Sequence, residues 1–317
     1  MIIPILLFLA GLVLIVFGAN YLVDGASAIA RRFGLSEFVI GLTIVGMGTS
    51  APEMVVSFLG ALKGNADIAI GNVIGSNIMN VLLILGLSAL ILPMQITPSN
   101  KKRDIPTNIL VTLLLILLGL EQTVFHFGTD GLSRWDGAVL IAIFILYMWQ
   151  SFRTNQPEED GSAEKPVKIG WAILMVLGGL ASLVFGGNLF VDNATVIARS
   201  LGVSDKFIAI TILAGGTSMP ELATCVVAAA KKKGQLALGN IIGSNLFNIL
   251  LILGGAALIN PLSFSGMSYV DLGVLLLSAL CLLTAAYIGK KDEIDRLDGG
   301  IFVAIWAGYM AYLIVNL

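Results

Sequence analysis

Long apolar runs separated by short polar breaks extend along the whole chain. The runs are about 20 residues long, the length at which an α-helix crosses the hydrocarbon core of a bilayer. Their apolar positions are continuous rather than alternating, which favours helices over a β-barrel. The pattern predicts ten helices, near residues 2–22, 37–60, 68–92, 104–121, 133–152, 168–190, 205–230, 236–260, 268–289 and 298–316. The expected fold is an all-α polytopic membrane protein. Composition agrees: of 317 residues, 12% are charged, against about 25% in ordinary soluble domains. The first run, "MIIPILLFLAGLVLIVFGANYLV", has no basic stretch before it and does not read as a signal peptide. Part of it also recurs later in the chain.

The recurrence is extensive. Shifted by 168 positions, residues 17–93 match 185–261 at 38 of 77 sites without a gap. "AIGNVIGSNIMNVLLILG" meets "ALGNIIGSNLFNILLILG". Such duplication points to two structural repeats. The expected halves are 1–152, with its repeat within 37–92, and 168–317, with its repeat within 205–260, joined by a polar cytoplasmic linker at 153–167. Five helices per half is an odd number, so the copies should enter the membrane from opposite sides, as two inverted five-helix repeats. Charge follows this scheme. With the N-terminus outside, the inside loops hold 14 basic residues, among them Arg31, Lys101, Arg153, Lys231 and Arg296. Only Lys63, Arg134, Arg199 and Lys206 fall outside. The positive-inside rule thus places both termini outside. Inverted repeats are common in secondary transporters, whose sites lie at the midplane where broken helices meet.

Each repeat carries an acid inside an apolar stretch: Glu53 in "GMGTSAPEMVVS" and Glu221 in "GGTSMPELATC". A charged side chain at the bilayer centre costs roughly 2.5–3.5 kcal/mol even on insertion scales. Neither helix offers a basic residue to neutralise it, so a metal cation is the simplest partner, with proton carriage the alternative. Pro52 and Pro220 lack an N–H and break the helix, and the carbonyls at Gly46 and Ala214 are expected to be freed there. Thr49 and Thr217 lie four residues before the acids, on the same face, with Ser50 and Ser218 beside them. In the following helices Ser76 and Asn80, like Ser244 and Asn248, are spaced i, i+4, with Asn72 and Asn240 one turn earlier. Asn77 and Asn245 turn away and suit packing or backbone bonding, and for these two, as for Ser50 and Ser218, packing and coordination are equal alternatives. Asp24 and Asp192 are expected at helix ends, as caps. Every candidate ligand is an oxygen, which suits hard cations such as Ca²⁺ and Na⁺. Cys225 and Cys281 have no metal spacing, and His126 falls in a polar turn.

At these residues the chain resembles the calcium/cation antiporter superfamily, and within it the prokaryotic-type sodium/calcium exchangers. "GTSAPE" and "GTSMPE", each followed by "GN(V/I)IGSN", carry the resemblance, which covers nearly the whole chain. It implies exchange of Na⁺ for Ca²⁺ across the plasma membrane by alternating access, normally with Ca²⁺ extruded. It further implies Ca²⁺ binding by Glu53 and Glu221 with Thr49 and Thr217. Na⁺ would use those groups with Ser50, Ser218, Ser76, Ser244 and the carbonyls of Gly46 and Ala214, while Asn80 and Asn248 flank the centre. The first and sixth helices would slide as a gate. Some exchangers carry Asp where this chain has Asn80 or Asn248; two Asn leave two acidic ligands, which weakens a case for K⁺ co-transport. The proton-coupled branch of the same fold carries Glu in the "GN" helix, where this chain has Asn72 and Asn240.

Other classes find less support. A channel should show an acidic ring or filter loop, and a pump should show a nucleotide-binding loop; neither motif is present. Enzymatic activity, a cofactor, nucleic-acid binding and an obligate protein partner are not expected. The ligands expected are the transported ions and the bilayer.

Overall fold

The first apolar run folds as one helix, α1 (Ile2–Phe33), in a computed structural model that describes residues 2–126, 128–154, 167–203, 205–288 and 292–316. Most of the polar linker, 155–166, therefore lies outside the described residues. Nothing between Val23 and Phe33 breaks the winding, so α1 runs past the expected end near residue 22. It stops at Gly34, whose φ of +64° lies in the left-handed region that glycine enters most readily. Its repeat partner α7 (Ile169–Ser200) is extended in the same way. Asp24 and Asp192 consequently lie within helices and cap nothing.

The bent pair α2 (Glu37–Thr49) and α3 (Ala51–Leu62) turns by 49° at Ser50. Ser36 caps α2 by accepting from Val39 N, and Pro52 sits in the first turn of α3, where its missing N–H is not needed. There follow α4 (Ala66–Ile91), α5 (Ile105–Gly119), α6 (Arg134–Arg153) and, after α7, the pieces α8 (205–216) and α9 (Met219–Ala230). The chain ends with α10 (Gly234–Ile259), α11 (Tyr269–Tyr287) and α12 (Arg296–Val315). Within these helices Gly41–Val45, Asn80–Leu85, Ala209–Leu213 and Phe247–Leu253 are wound as π-helix. Such wide turns are rare and cluster at functional sites.

Among the described residues, seven helices are long and apolar enough to cross a membrane, or eight with the bent pair. The remaining two expected spans are α5, which is 15 residues long behind a π-wound stretch, Asn100–Asp104, and the two pieces α8 and α9. The chain is an all-helical multi-pass membrane protein.

Burial separates centre from rim. In their most apolar windows α10 is 83% and α4 67% buried, against 22% for α1 and 11% for α12. The two "GN…GSN" helices therefore form the core. α2 lies on α10 almost backbone to backbone: a Cβ at Gly239 would stand 2.2 Å from Phe38 O. On the rim, α1 and α7 pack antiparallel, Gly18 meeting Gly179 with a virtual Cβ 2.8 Å from its carbonyl.

Four short strands tie the loops at two ends. β1 (Met94–Gln95) pairs with β4 (Glu293–Ile294), and β2 (Gly131–Leu132) pairs with β3 (Leu262–Ser263), both antiparallel. At the β1–β4 end Lys101 meets Asp292 at 3.4 Å and Lys233 meets Glu37 at 3.7 Å. Gln235 donates to Gln95 O there, and Arg103 donates to Thr154 Oγ1. At the β2–β3 end Asn260 Nδ2 donates to Ala61 O at 3.3 Å, and Phe264 N donates to Asp130 O. His126 is exposed there with φ 56°.

Candidate cation site

The two broken-helix acids meet across the repeats, buried to 1% exposure each. Ser50 Oγ, at the first break, donates to Glu221 Oε1 at 2.8 Å. Ser218 Oγ, at the second, donates to Glu53 Oε1 at 3.0 Å. Each half thus hands its serine to the other half's carboxylate. Ser76 Oγ adds a 3.3 Å bond to Glu53 Oε1 and lies 3.2 Å from Ser218 Oγ.

The second carboxylate oxygens behave differently. Glu53 Oε2 and Glu221 Oε2 are buried and accept no hydrogen bond, and the same holds for Asn80 Oδ1 and Asn248 Oδ1. All four are acceptors, and an unpaired buried acceptor costs about 1–3 kcal/mol, more when charged. Among the described residues no Lys, Arg or His pairs with either acid. Nor do three or more His, Cys, Asp or Glu side chains cluster as a metal site; the donors are carboxylate, amide, hydroxyl and carbonyl. This is an all-oxygen set with two carboxyl groups and four acceptor atoms that receive no donor, which fits a hard cation.

A flanking oxygen cluster adjoins this centre. Thr49 Oγ1 donates to Asn240 Oδ1 at 3.1 Å, and Ser244 Oγ lies 3.3 Å from Gly46 O and 3.5 Å from Asn240 Oδ1. In the mirror position Thr217 Oγ1 donates to Asn72 Oδ1 at 3.4 Å. Asn72 fixes its orientation by donating to Glu53 O and Ser57 Oγ, and Asn240 by donating to Cys225 Sγ at 3.2 Å. The Gly46 carbonyl is not freed by Pro52, because it still accepts from Ser50 N at 3.1 Å. The donor that Pro52 removes is the one four residues beyond Gly48. Ala214 opens the last piece of α8.

The structure therefore joins Glu53, Ser218 and Ser76 in one hydrogen-bonded group and Glu221 with Ser50 in a second, while Thr49, Ser244 and Gly46 meet around Asn240. Asn80 and Asn248 present bare oxygens. Asn77 makes the backbone bond expected of it, donating to Asn245 O at 3.2 Å; what the spacing did not show is that Asn77 Oδ1 accepts from Asn248 Nδ2 at 2.9 Å and Asn245 Oδ1 accepts from Asn80 Nδ2 at 3.0 Å. Helical spacing put them off the ligand face, and only the other half of the chain shows what they face.

A cleft of about 340 Å³ between α7 and the bent helices reaches Thr217, with Pro52, Asn188, Asp192 and Pro220 on its walls. A larger cavity of about 570 Å³ lies among Met79, Phe190, Gly215, Met219 and Trp306, with Asp271 held by Tyr309 at 2.7 Å.

Comparison with known proteins agrees with this chemistry. Residues 3–153 and 171–315 match the family described as sodium/calcium exchanger protein. The chain belongs to the sodium/calcium exchanger family. The sodium/calcium exchanger MaX1 of Methanosarcina acetivorans is 34% identical over 98% of this chain and 97% of its own length. The putative antiporter CaxA of Alkalimonas amylolytica is 39% identical over 99% of both. The solved structure of the sodium-calcium exchanger NCX_Mj, soaked with Na⁺ and Ca²⁺, superposes with a TM-score of 0.84 at 34% identity over 98% of both chains. This exchanger is accordingly a transporter and not an enzyme.

Proposed function

We propose that this exchanger is an antiporter that moves Ca²⁺ against Na⁺ through one shared site, normally extruding Ca²⁺ across the plasma membrane. The observation that carries the reading is the set of four buried oxygens without donors, two of them carboxylate. One Ca²⁺ balances both charges, and so do two Na⁺. Ca²⁺ takes about 6–8 oxygens at roughly 2.3–2.6 Å; Glu53, Glu221, Asn80 and Asn248 supply the bare ones, with Thr49 and Thr217 close by. Na⁺ uses the same acids together with Ser50, Ser218, Ser76, Ser244 and the carbonyls of Gly46 and Ala214. The serine hydroxyls that now donate to the carboxylates turn to present lone pairs when a cation enters. Binding drives the alternation of access because the ions favour the closed forms differently from the empty site.

We read the topology as ten crossings in two inverted halves, 1–152 and 168–317, joined by the linker at 153–167, with both termini outside. Two facts support this. The predicted inside loops carry the basic residues Lys101, Arg103 and Lys233, which share the β1–β4 end with Thr154. The predicted outside loops share the β2–β3 end.

The test is ⁴⁵Ca²⁺ uptake into proteoliposomes under a Na⁺, K⁺ or H⁺ gradient imposed one at a time. The expected result is uptake with an outward Na⁺ gradient only, abolished in Glu53→Gln and in Glu221→Gln. Uptake driven by H⁺ in Na⁺-free buffer would transfer the reading to proton coupling.

A further inference from the structure

The bare amide oxygens of Asn80 and Asn248 raise a question of orientation. A carboxamide is nearly symmetric in shape, and either its oxygen or its NH₂ group can face a site. With NH₂ turned inward it repels a cation. Behind Asn80 stands Asn245 Oδ1, 3.0 Å from Nδ2. Behind Asn248 stands Asn77 Oδ1, 2.9 Å from Nδ2. Asn77 is itself anchored by donating to Asn245 O at 3.2 Å. All four side chains are buried. With the backing oxygen in place, a flipped Asn80 or Asn248 would set oxygen against oxygen in a buried space, and Asn77 holds its oxygen in place through its own Nδ2 bond. The selection crosses the repeats: Asn245 aims Asn80, and Asn77 aims Asn248.

We propose that Asn77 and Asn245 are positioning residues that set Ca²⁺ affinity by holding the amide oxygens of Asn248 and Asn80 towards the site. This deepens the antiport reading and rests on the same site. Outer partners of this kind cost about 10–100-fold in metal affinity when removed.

A double-mutant cycle with ⁴⁵Ca²⁺ equilibrium binding to the purified protein tests it. Asn245→Ala is expected to weaken Ca²⁺ binding about tenfold or more. In the Asn80→Asp background it is expected to cost little, because a carboxylate offers an oxygen whichever way it turns. Asn77→Ala against Asn248→Asp is the mirror cycle and serves if one variant does not fold. Equal losses in both backgrounds, or no loss in either, would overturn the positioning role. Glu53→Gln is the control for the site: normal Ca²⁺ binding there defeats the site itself, whereas loss there with equal losses in the cycles defeats only the positioning role.

A second inference comes from a different observation. Lys231 Nζ lies 2.6 Å from Asp24 Oδ1 and also reaches Asn20 O, tying α1 to the end of α9. The 168-residue repeat maps Asp24 onto Asp192 and Lys231 onto Lys63. Both mapped residues are exposed, and among the described residues they form no ion pair with each other. Asp192 instead walls the open cleft. One face is thus latched and its mirror is open. We infer that Asp192 and Lys63 form the opposite latch when the cleft closes, one pair breaking as the other forms. In a Cys281→Ala background, Lys63→Cys and Asp192→Cys are joined during turnover by a reducible thiol cross-linker of about 10 Å, a span of the order of an extended ion pair. The expected result is a cross-link that stops Ca²⁺ flux and is reversed by reductant. No cross-link, or continued flux in the linked protein, would overturn the latch; flux in the unlinked variant shows that the antiport reading stands independently.

Discussion

At the scale of single residues, the two halves do the same work with different atoms. Ser57 and Cys225 occupy equivalent repeat positions, and each accepts from the side chain of the following helix's Asn. Cys225→Ser should therefore keep Asn240 in place and leave Na⁺-dependent Ca²⁺ uptake within about twofold, since a hydroxyl replaces a weaker sulfur acceptor. Cys225 is fully buried whereas Cys281 is partly exposed. Mass spectrometry of maleimide-treated native protein should show modification at Cys281 first. Glu53, Glu221 and their Thr, Ser and Asn neighbours were legible in the sequence, because an acid in an apolar run demands a partner and the repeat offers a second copy. The donor-free state of Glu53 Oε2 and Asn248 Oδ1 was not legible, because it depends on which hydroxyls and amides of the other half come within reach. In the loop at the β2–β3 end, Asp130 accepts from the hydroxyl and N–H of Thr123, which holds its carboxyl below the usual value. A depressed carboxyl stabilises its loop above its unfolded pKa, about 3.9, and that contribution is lost as pH falls through the lower folded value. The protection factor at the Thr123 amide, corrected for the intrinsic exchange rate, should fall only under such acid conditions; a fall near neutral pH would contradict this.

At the scale of elements, the apolar pattern located the helices but misjudged their ends and their winding. α1 and α7 continue past residues 22 and 190 because Ala, Ser, Val and Ile keep the helix unbroken up to Gly34 and Ser200. The π-wound stretches beginning at Asn80 and Phe247 left no mark in the apolar spacing, since one extra residue per turn shifts the face by less than the width of the apolar stripe. Glycine content hinted at the tight contact of α2 with α10 without saying where it falls. Gly239→Ala is expected to destabilise the protein by about 1–3 kcal/mol through overpacking, because the new methyl would collide with the Phe38 backbone rather than a movable side chain. Thermal melts in detergent should show a lower midpoint than wild type. Asp104 is a stronger case. It is fully buried and accepts from Arg103 Nε at 2.7 Å, Tyr147 OH at 2.9 Å and Asn100 Nδ2 at 3.2 Å. Asp104→Ala strands the mostly buried Arg103 and should cost about 3–5 kcal/mol, read as a fall in midpoint larger than that of Gly239→Ala.

At the scale of the whole molecule, the repeat read from sequence becomes a reciprocal site. Ser50 serves Glu221, Ser218 serves Glu53, Asn245 holds Asn80 and Asn77 holds Asn248. Neither half can assemble the site alone. Pseudo-symmetry is broken where Ser76 bonds a carboxylate while Ser244 bonds a carbonyl, and where Asp24 is paired while Asp192 lines a cleft. Anomalous scattering from crystals soaked in Ca²⁺ would locate the bound cation. The account predicts a peak about 2.3–2.6 Å from Glu53 Oε2 and Glu221 Oε2, beside Asn80 and Asn248, which fades as Na⁺ is raised. A saturating soak that leaves these carboxylates bare, or a peak that Na⁺ does not displace, would contradict it.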